Sequence, residues 1–176
     1  MRGACLARAA SLRTLAACNA IVAPLDAFEA GDRFLTVTAL PFRTLADVPP
    51  DGAALTGVLR RLCDALLVLH SLGGTGAVHG APSTASIWYF PAGIPGAPDV
   101  PCLYVPPVPQ HGDAADDLRG FGEALLALLP ASAGAPAELR ALLERMRAGG
   151  YASVLEIRHE LDLSLIHISE PTRLRR

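Results

Sequence analysis

The stretch from Ala53 to Leu72 constrains this chain more than any other. Leu55, Val58, Leu59, Leu62, Leu66 and Leu69 recur at three- and four-residue spacing, while Arg60, Arg61 and Asp64 fall on other faces. That period fits a long α-helix with one apolar side, which must be buried against other elements. Gly73 and Gly74 follow it directly, where glycine commonly ends a helix. Three later segments carry the same period. Leu118, Phe121, Leu125 and Leu128 predict a helix over 113–129, and Pro130 closes it. Pro136 opens a helix over 137–148 with Leu139, Leu142, Leu143 and Met146 inward, and a last helix runs from Ala152 to near Leu161. At the start, Leu6, Ala9, Leu12 and Leu15 repeat at three-residue spacing. An amphipathic helix explains that pattern as well as a targeting peptide explains its arginines and lack of acids.

Between the helices lie short β-prone runs. Ile21–Phe28 and Arg33–Leu40 read as a strand pair turned at Gly31-Asp32, and the proline-punctuated PFRTLADVPPDG reads as a connection. Ser86–Phe90 and Cys102–Val105 form a second pair around a loop with several prolines. Trp88, Tyr89 and Phe90 could stack on a ligand, but alternate residues of a short strand ordinarily face a core. The order of elements gives an α+β fold that is mainly α.

The 176 residues are 51% apolar and 18% charged, enough to build a core and too apolar for broad disorder. There is no lysine, so no catalytic or phosphate-binding lysine can act within this sequence. The segment Leu163–Arg173, LSLIHISEPTR, looks like the translation of a transposon-end adapter used in DNA library preparation. Residues 163–176 are therefore expected to be an adapter-derived scar. In residues 1–162, 12 Arg against 16 Asp and Glu leave a net charge of −4, which argues against nucleic acid as a partner. No apolar run reaches the ~18 residues of a membrane span. Cys5, Cys18, Cys63 and Cys102 form no C-x-x-C pair and read as free thiols. His111 and Asp113 lack further spaced ligands, so no metal site is expected. GGTG at 73–76 follows a helix, whereas a phosphate-cradling loop precedes one.

Three stretches, in order, resemble the eukaryotic-like protein kinases found among bacterial Ser/Thr kinases. IVAPLDAFEAGDRFLTVTALPFRTLADV looks like the last strands of the small lobe and the hinge. ALLVLHSLGGTGAVHGAPSTASIWY looks like the central helix, the catalytic loop and the strand beyond it, with Leu66, Leu69, His70, Gly76, His79, Gly80 and Ile87 on the family pattern. DDLRGFGEALLALLP matches a later helix motif at Asp117, Phe121 and Gly122. The resemblance spans about residues 6–162. It implies a large helical lobe over 49–162 and a remnant of the small β lobe over 1–48. It also implies structural roles for His79, Asp117 and Gly122, with Asp117 accepting hydrogen bonds from the catalytic-loop backbone.

The departures from the pattern bear on function. A kinase loop needs an Asp to accept the substrate hydroxyl proton and an Asn to hold a metal ion. Those positions are Ala81 and Ser86 here; the loop lysine is Ser83, and PPVP stands where D-F-G should follow the strand. The glycine-rich loop and the lysine strand of the family do not occur in these residues and are expected to lie upstream or to be absent altogether. His79 could be a general base, but no Ser/Asp arrangement supports it. His70, at a helix end, is expected on the last carbonyls. Asp113 and Asp116 suit the first turn of a helix. The expected function is that of a catalytically inactive kinase-like domain: cytoplasmic, without cofactor or metal, and acting on a protein partner. An active phosphotransferase using ATP and Mg²⁺ is the alternative and would have to draw its carboxylate from Asp99 or Asp113. A third reading is a gene fragment with no function of its own.

Overall fold

The helical stripes and short strands become five helices and two small sheets in the computed structural model, which describes residues 2–41, 43–48, 50–72, 78–91, 99–108, 111–129 and 135–169. The helices are α1 (Arg2–Arg13), α2 (Gly52–Ser71), α3 (Ala114–Leu126), α4 (Ala137–Arg147) and α5 (Val154–Ser169). The strands are β1 (Ile21–Val22), β2 (Asp26–Ala30), β3 (Arg33–Val37), β4 (Arg43–Thr44), β5 (Ile87–Phe90) and β6 (Val100–Tyr104).

Helix α2 forms the spine of the core. Asp51 caps it by accepting from the Ala54 amide at 2.7 Å, and all six residues of its apolar stripe are buried. The glycines expected to end α2 lie outside the described residues. Around α2 gather Leu118, Phe121 and Leu125 of α3, Leu142 and Leu143 of α4, and Ile157 and Leu161 of α5 in one continuous core. Helix α5 runs on to Ser169, beyond the expected stop near Leu161, so its helical backbone crosses position 163 without a break. Its ion pairs to α2, Arg60–Asp162 at 2.7 Å near the surface and the half-buried Arg158–Asp64, orient the helix more than they stabilise it. Helix α1 buries Cys5, Ala9 and Leu12, whereas Leu6 is only half-buried. A strict three-residue repeat drifts off a helix of 3.6 residues per turn, and Cys5 takes the inner place.

The expected first strand is split. Pro24 has no amide to donate, and the chain breaks between β1 and β2. Only β2 and β3 form the antiparallel hairpin, with Phe28 opposite Leu35 and Gly31 turning the chain at φ +62°. β1 instead pairs in parallel with β6, placing Ile21 beside Leu103. The stretch read as a connection also contributes a strand. β4 pairs with β5, completing a sheet of order β1-β6-β5-β4. Segment 1–48 therefore supplies both edges of a sheet whose centre comes from the later segment.

Ile87 and Tyr89 of β5 face inward while Trp88 and Phe90 are half-buried, the two-residue alternation of a strand. Trp88 stacks flat on Tyr104 with ring centroids 4.2 Å apart, so the aromatic run is used in packing. Among the described residues no helix is long and apolar enough to cross a membrane.

Candidate functional site

The loop from Val78 to Ser86 lies where α2, α3 and β6 converge, and one buried carboxylate organises it. Asp117 lies in the first turn of α3, a helix whose start is fixed by a capping box between Asp113 and Asp116. The Asp117 side chain is fully buried. Its Oδ2 accepts from the His79 amide at 2.7 Å, its Oδ1 accepts from the Gly80 amide at 2.8 Å, and Oδ2 is also 3.0 Å from His70 Nε2. Gly80 adopts φ +75°, a conformation that glycine tolerates without strain, and consecutive amides thereby converge on one carboxylate. His70 does not serve the end of its own helix as expected. The Leu69 carbonyl is taken by the Leu72 amide and the Val68 carbonyl by the Ser71 hydroxyl, while the buried carboxylate offers a stronger partner.

His79 is held on both ring nitrogens. Nε2 donates to the Tyr104 carbonyl at 2.9 Å, and Nδ1 accepts from the Ala81 amide at 3.2 Å. That pairing requires the neutral tautomer with its proton on Nε2. Phe121 of α3 packs edge-on to the ring at 5.2 Å. Burial pushes the imidazole below its ordinary range, and the nearby Asp117 charge offsets only part of this. With its one acceptor lone pair already engaged, the ring cannot take a proton from a substrate. Because native His79 resists the proton that the unfolded chain binds below about pH 6.5, stability should fall as pH drops through that value. Urea midpoints measured across this range should fall less steeply in His79→Gln; an unchanged slope would assign the effect to another group.

Arg8 of α1 is the residue that sequence reasoning missed. It is only 4% exposed, and its guanidinium donates to the Val78 carbonyl at 2.6 Å and the Pro106 carbonyl at 2.9 Å. Burial lowers its pKa, and the Asp117 carboxylate opposes that shift. Arg8 thus ties α1 to the backbone on either side of the loop region. The signal was present: position 8 falls on the inner stripe with Cys5, Ala9 and Leu12, where an unpaired charge would be costly. Gly120 was missed as well. A Cβ there would lie 2.7 Å from Pro82, so the glycine lets the loop rest on α3.

The remaining loop positions are occupied among themselves. Ser83 and Ser86 hydroxyls lie 2.9 Å apart, and Ser86 also donates to the Ala81 carbonyl at 3.4 Å. Ala81 presents a methyl group. The segment after β6, from Val105 to Val108, carries no carboxylate. Asp99 is not brought to the loop. Asp99 pairs with Arg43 at 3.1 Å beside an open pocket of about 800 Å³ between α2 and the sheet. It precedes β6, whereas the loop meets the strand's far end at Tyr104, roughly 16 Å away at ~3.3 Å per residue. Asp113 is committed to its cap. Among the described residues no group of three or more His, Cys, Asp or Glu could hold a metal ion, and GGTG lies outside them. Gly122 sits at the crossing of α3 and α4, away from the loop chemistry.

No protein-family model matches the sequence, and no curated protein matches it. By structure the chain is similar to the kinase domain of Mycobacterium tuberculosis PknI, with a TM-score of 0.62 at 13% identity over 81% of this chain and 71% of that one. A double mutant of that domain matches with a TM-score of 0.61 at 13% identity over 89% of this chain and 81% of its own. The order of helices, the paired strands around the loop and these likenesses agree: the chain has a protein-kinase-like fold of the α+β class.

Proposed function

We propose that this is a catalytically inactive protein-kinase-like domain that works in regulation or scaffolding through contact with a protein partner. One observation carries the reading. The loop backbone is held in place by Asp117 and His79, while the position that would accept the substrate proton is Ala81. A methyl group can neither accept a proton nor orient a hydroxyl, and positioned carboxylates with Mg²⁺ supply most of the catalysis in phosphoryl transfer. The donor set does not fit a magnesium nucleotide. Ser86 replaces the amide ligand and its hydroxyl is engaged with that of Ser83, which stands at the loop lysine position, and prolines follow β6 where a carboxylate is needed. No cofactor or metal enters this reading. A cytoplasmic location accords with it, and the acidic balance of residues 1–162 argues against nucleic acid.

The test is transfer of labelled γ-phosphate from ATP·Mg²⁺ to a generic protein acceptor, with Ala81→Asp run in parallel. Neither protein should exceed the blank, because restoring the loop carboxylate leaves the metal ligands missing. Nucleotide should not raise the melting temperature of either. Turnover by the unmodified chain that co-purifies with it through successive columns would overturn the proposal.

A further inference from the structure

The cleft of about 800 Å³ between α2 and the four-stranded sheet is built apart from the loop: every described residue that lines it lies between Arg43 and Pro101, and none belongs to Val78–Ser86 except through its neighbours in the sheet. Its walls follow from two patterns. On α2, Ala54, Gly57, Val58 and Arg61 recur at three- and four-residue spacing and form one stripe, small until it ends in an arginine. A Cβ at Gly57 would meet nothing within 4 Å, so nothing fills that side of the space. On the sheet, Arg43, Tyr89 and Pro101 are direct neighbours on β4, β5 and β6 and therefore share one face. The Arg43 guanidinium lies over the Tyr89 ring, 5.1 Å from its centroid, and pairs with Asp99 at 3.1 Å.

The polar groups around this apolar space lack acceptors. Tyr89 is only 6% exposed, yet its hydroxyl meets no hydrogen-bond partner among the described residues. Burial pushes the phenol above its ordinary range, against the opposing Arg43 charge, so it keeps its proton and can donate. The Nε–H groups of Arg43 and Arg61 are also buried without a partner among the described residues. Arg61 donates to the side-chain oxygen and the carbonyl of Asn19, at 3.1 and 2.5 Å, and lies against the Cys102 thiol, but no carboxylate pairs with it among the described residues. Asp51, at the other end of the stripe, is about 15 Å away along the helix and is taken by the Ala54 amide. Idle donors and an uncompensated positive charge beside an apolar surface suit an anion with an apolar body, and the volume falls within the ~300–1,000 Å³ of small-molecule sites. We propose that this cleft binds a small organic carboxylate, its anionic group on Arg61 and its apolar body against Val58, Tyr89 and Val100. A single uncompensated arginine matches one negative charge, which selects a carboxylate over a phosphate dianion. This binding does not depend on whether the loop transfers phosphate.

The test is heteronuclear NMR on the full chain titrated with phenylacetate and isovalerate, each beside its neutral amide. Both acids should shift the backbone amide signals of Ala54, Gly57, Tyr89 and Val100 saturably in the millimolar range, and phenylacetamide and isovaleramide should bind about tenfold more weakly or less. Arg61→Gln should bring acid and amide to the same affinity. Gly57→Leu, which puts a side chain into the open space on a helix that favours leucine over glycine, should abolish binding of both. Arg140→Gln, exposed on α4, should leave the affinities unaltered. Shifts that never saturate, amides that bind as tightly as their acids, a preference unchanged in Arg61→Gln, or binding that survives Gly57→Leu would each overturn the proposal. If Arg61→Gln fails to fold for want of its bonds to Asn19, the comparison of acid with amide and the Gly57→Leu variant decide the question.

Discussion

Replacing Asp117 with Ala is expected to cost about 3–5 kcal/mol of folding stability, because each buried group left without its hydrogen-bond partner costs about 1–3 kcal/mol. Whole domains are stable by only ~5–15 kcal/mol, so the variant should unfold at a much lower urea concentration. Three groups lose their partner at once. The amides of His79 and Gly80 are left without an acceptor and His70 Nε2 loses its contact, while the buried Arg8 guanidinium loses the nearby Asp117 charge. Asp117→Asn separates the charge from the shape. Its carbonyl can keep the bonds made by Oδ2, but its amide nitrogen then faces the Gly80 N–H, donor against donor. Its cost should be smaller, about 1–3 kcal/mol, mainly for that mismatch. Hydrogen exchange supplies the local reading. In both variants the His79 and Gly80 amides should lose protection before the core amides of α2 do. An Ala variant within about 1 kcal/mol of the parent would mean that the loop is held by something other than this carboxylate.

The fate of the loop explains how much of this protein was legible in its sequence. Helices α2 to α4 follow from their apolar stripes because a 3.6-residue period survives in any one-dimensional reading. The hairpin turn at Gly31 is local chemistry and was equally plain. The parallel pairing of β1 with β6 was not, because strands of two residues carry no period and their partner lies some eighty positions away. β4 was hidden for the same reason among prolines. At the site, the resemblance drew attention to Asp117 and His79, but local reasoning could not assign His70. A histidine in a last helical turn can serve its own carbonyls or reach across to a neighbour, and only the position of α3 decides between them. Arg8 was visible as a charge on an apolar stripe. What hid it is that its partners are backbone carbonyls, which any sequence possesses.

Gly122 and Gly57 offer the same substitution with opposite expected signs. Both lie inside helices, where Ala is favoured over Gly by about 0.8–1 kcal/mol on propensity alone. At Gly57, on the pocket side of α2, an added Cβ meets nothing within 4 Å, so Gly57→Ala should stabilise by up to that amount. At Gly122 the added carbon would lie 2.7 Å from the Arg147 amide nitrogen, 2.7 Å from Met146 Cβ and 3.1 Å from the Leu143 carbonyl oxygen. Two of those three atoms are backbone and cannot step aside by changing rotamer, so α4 must move as a body. Overpacking of this kind costs about 1–3 kcal/mol, and backbone contacts put it at the upper end. Net of propensity, Gly122→Ala should lose about 2 kcal/mol in urea unfolding. The displacement should also reach the loop, because Phe121 beside Gly122 packs against the His79 ring. Weakened protection of the His79 amide in Gly122→Ala, but not in Gly57→Ala, would show that the α3–α4 contact helps hold the loop in shape. If Gly122→Ala proved as stable as its parent, the close approach of these two helices would be wrong. The tight seating of Phe121 against His79 would then need another cause.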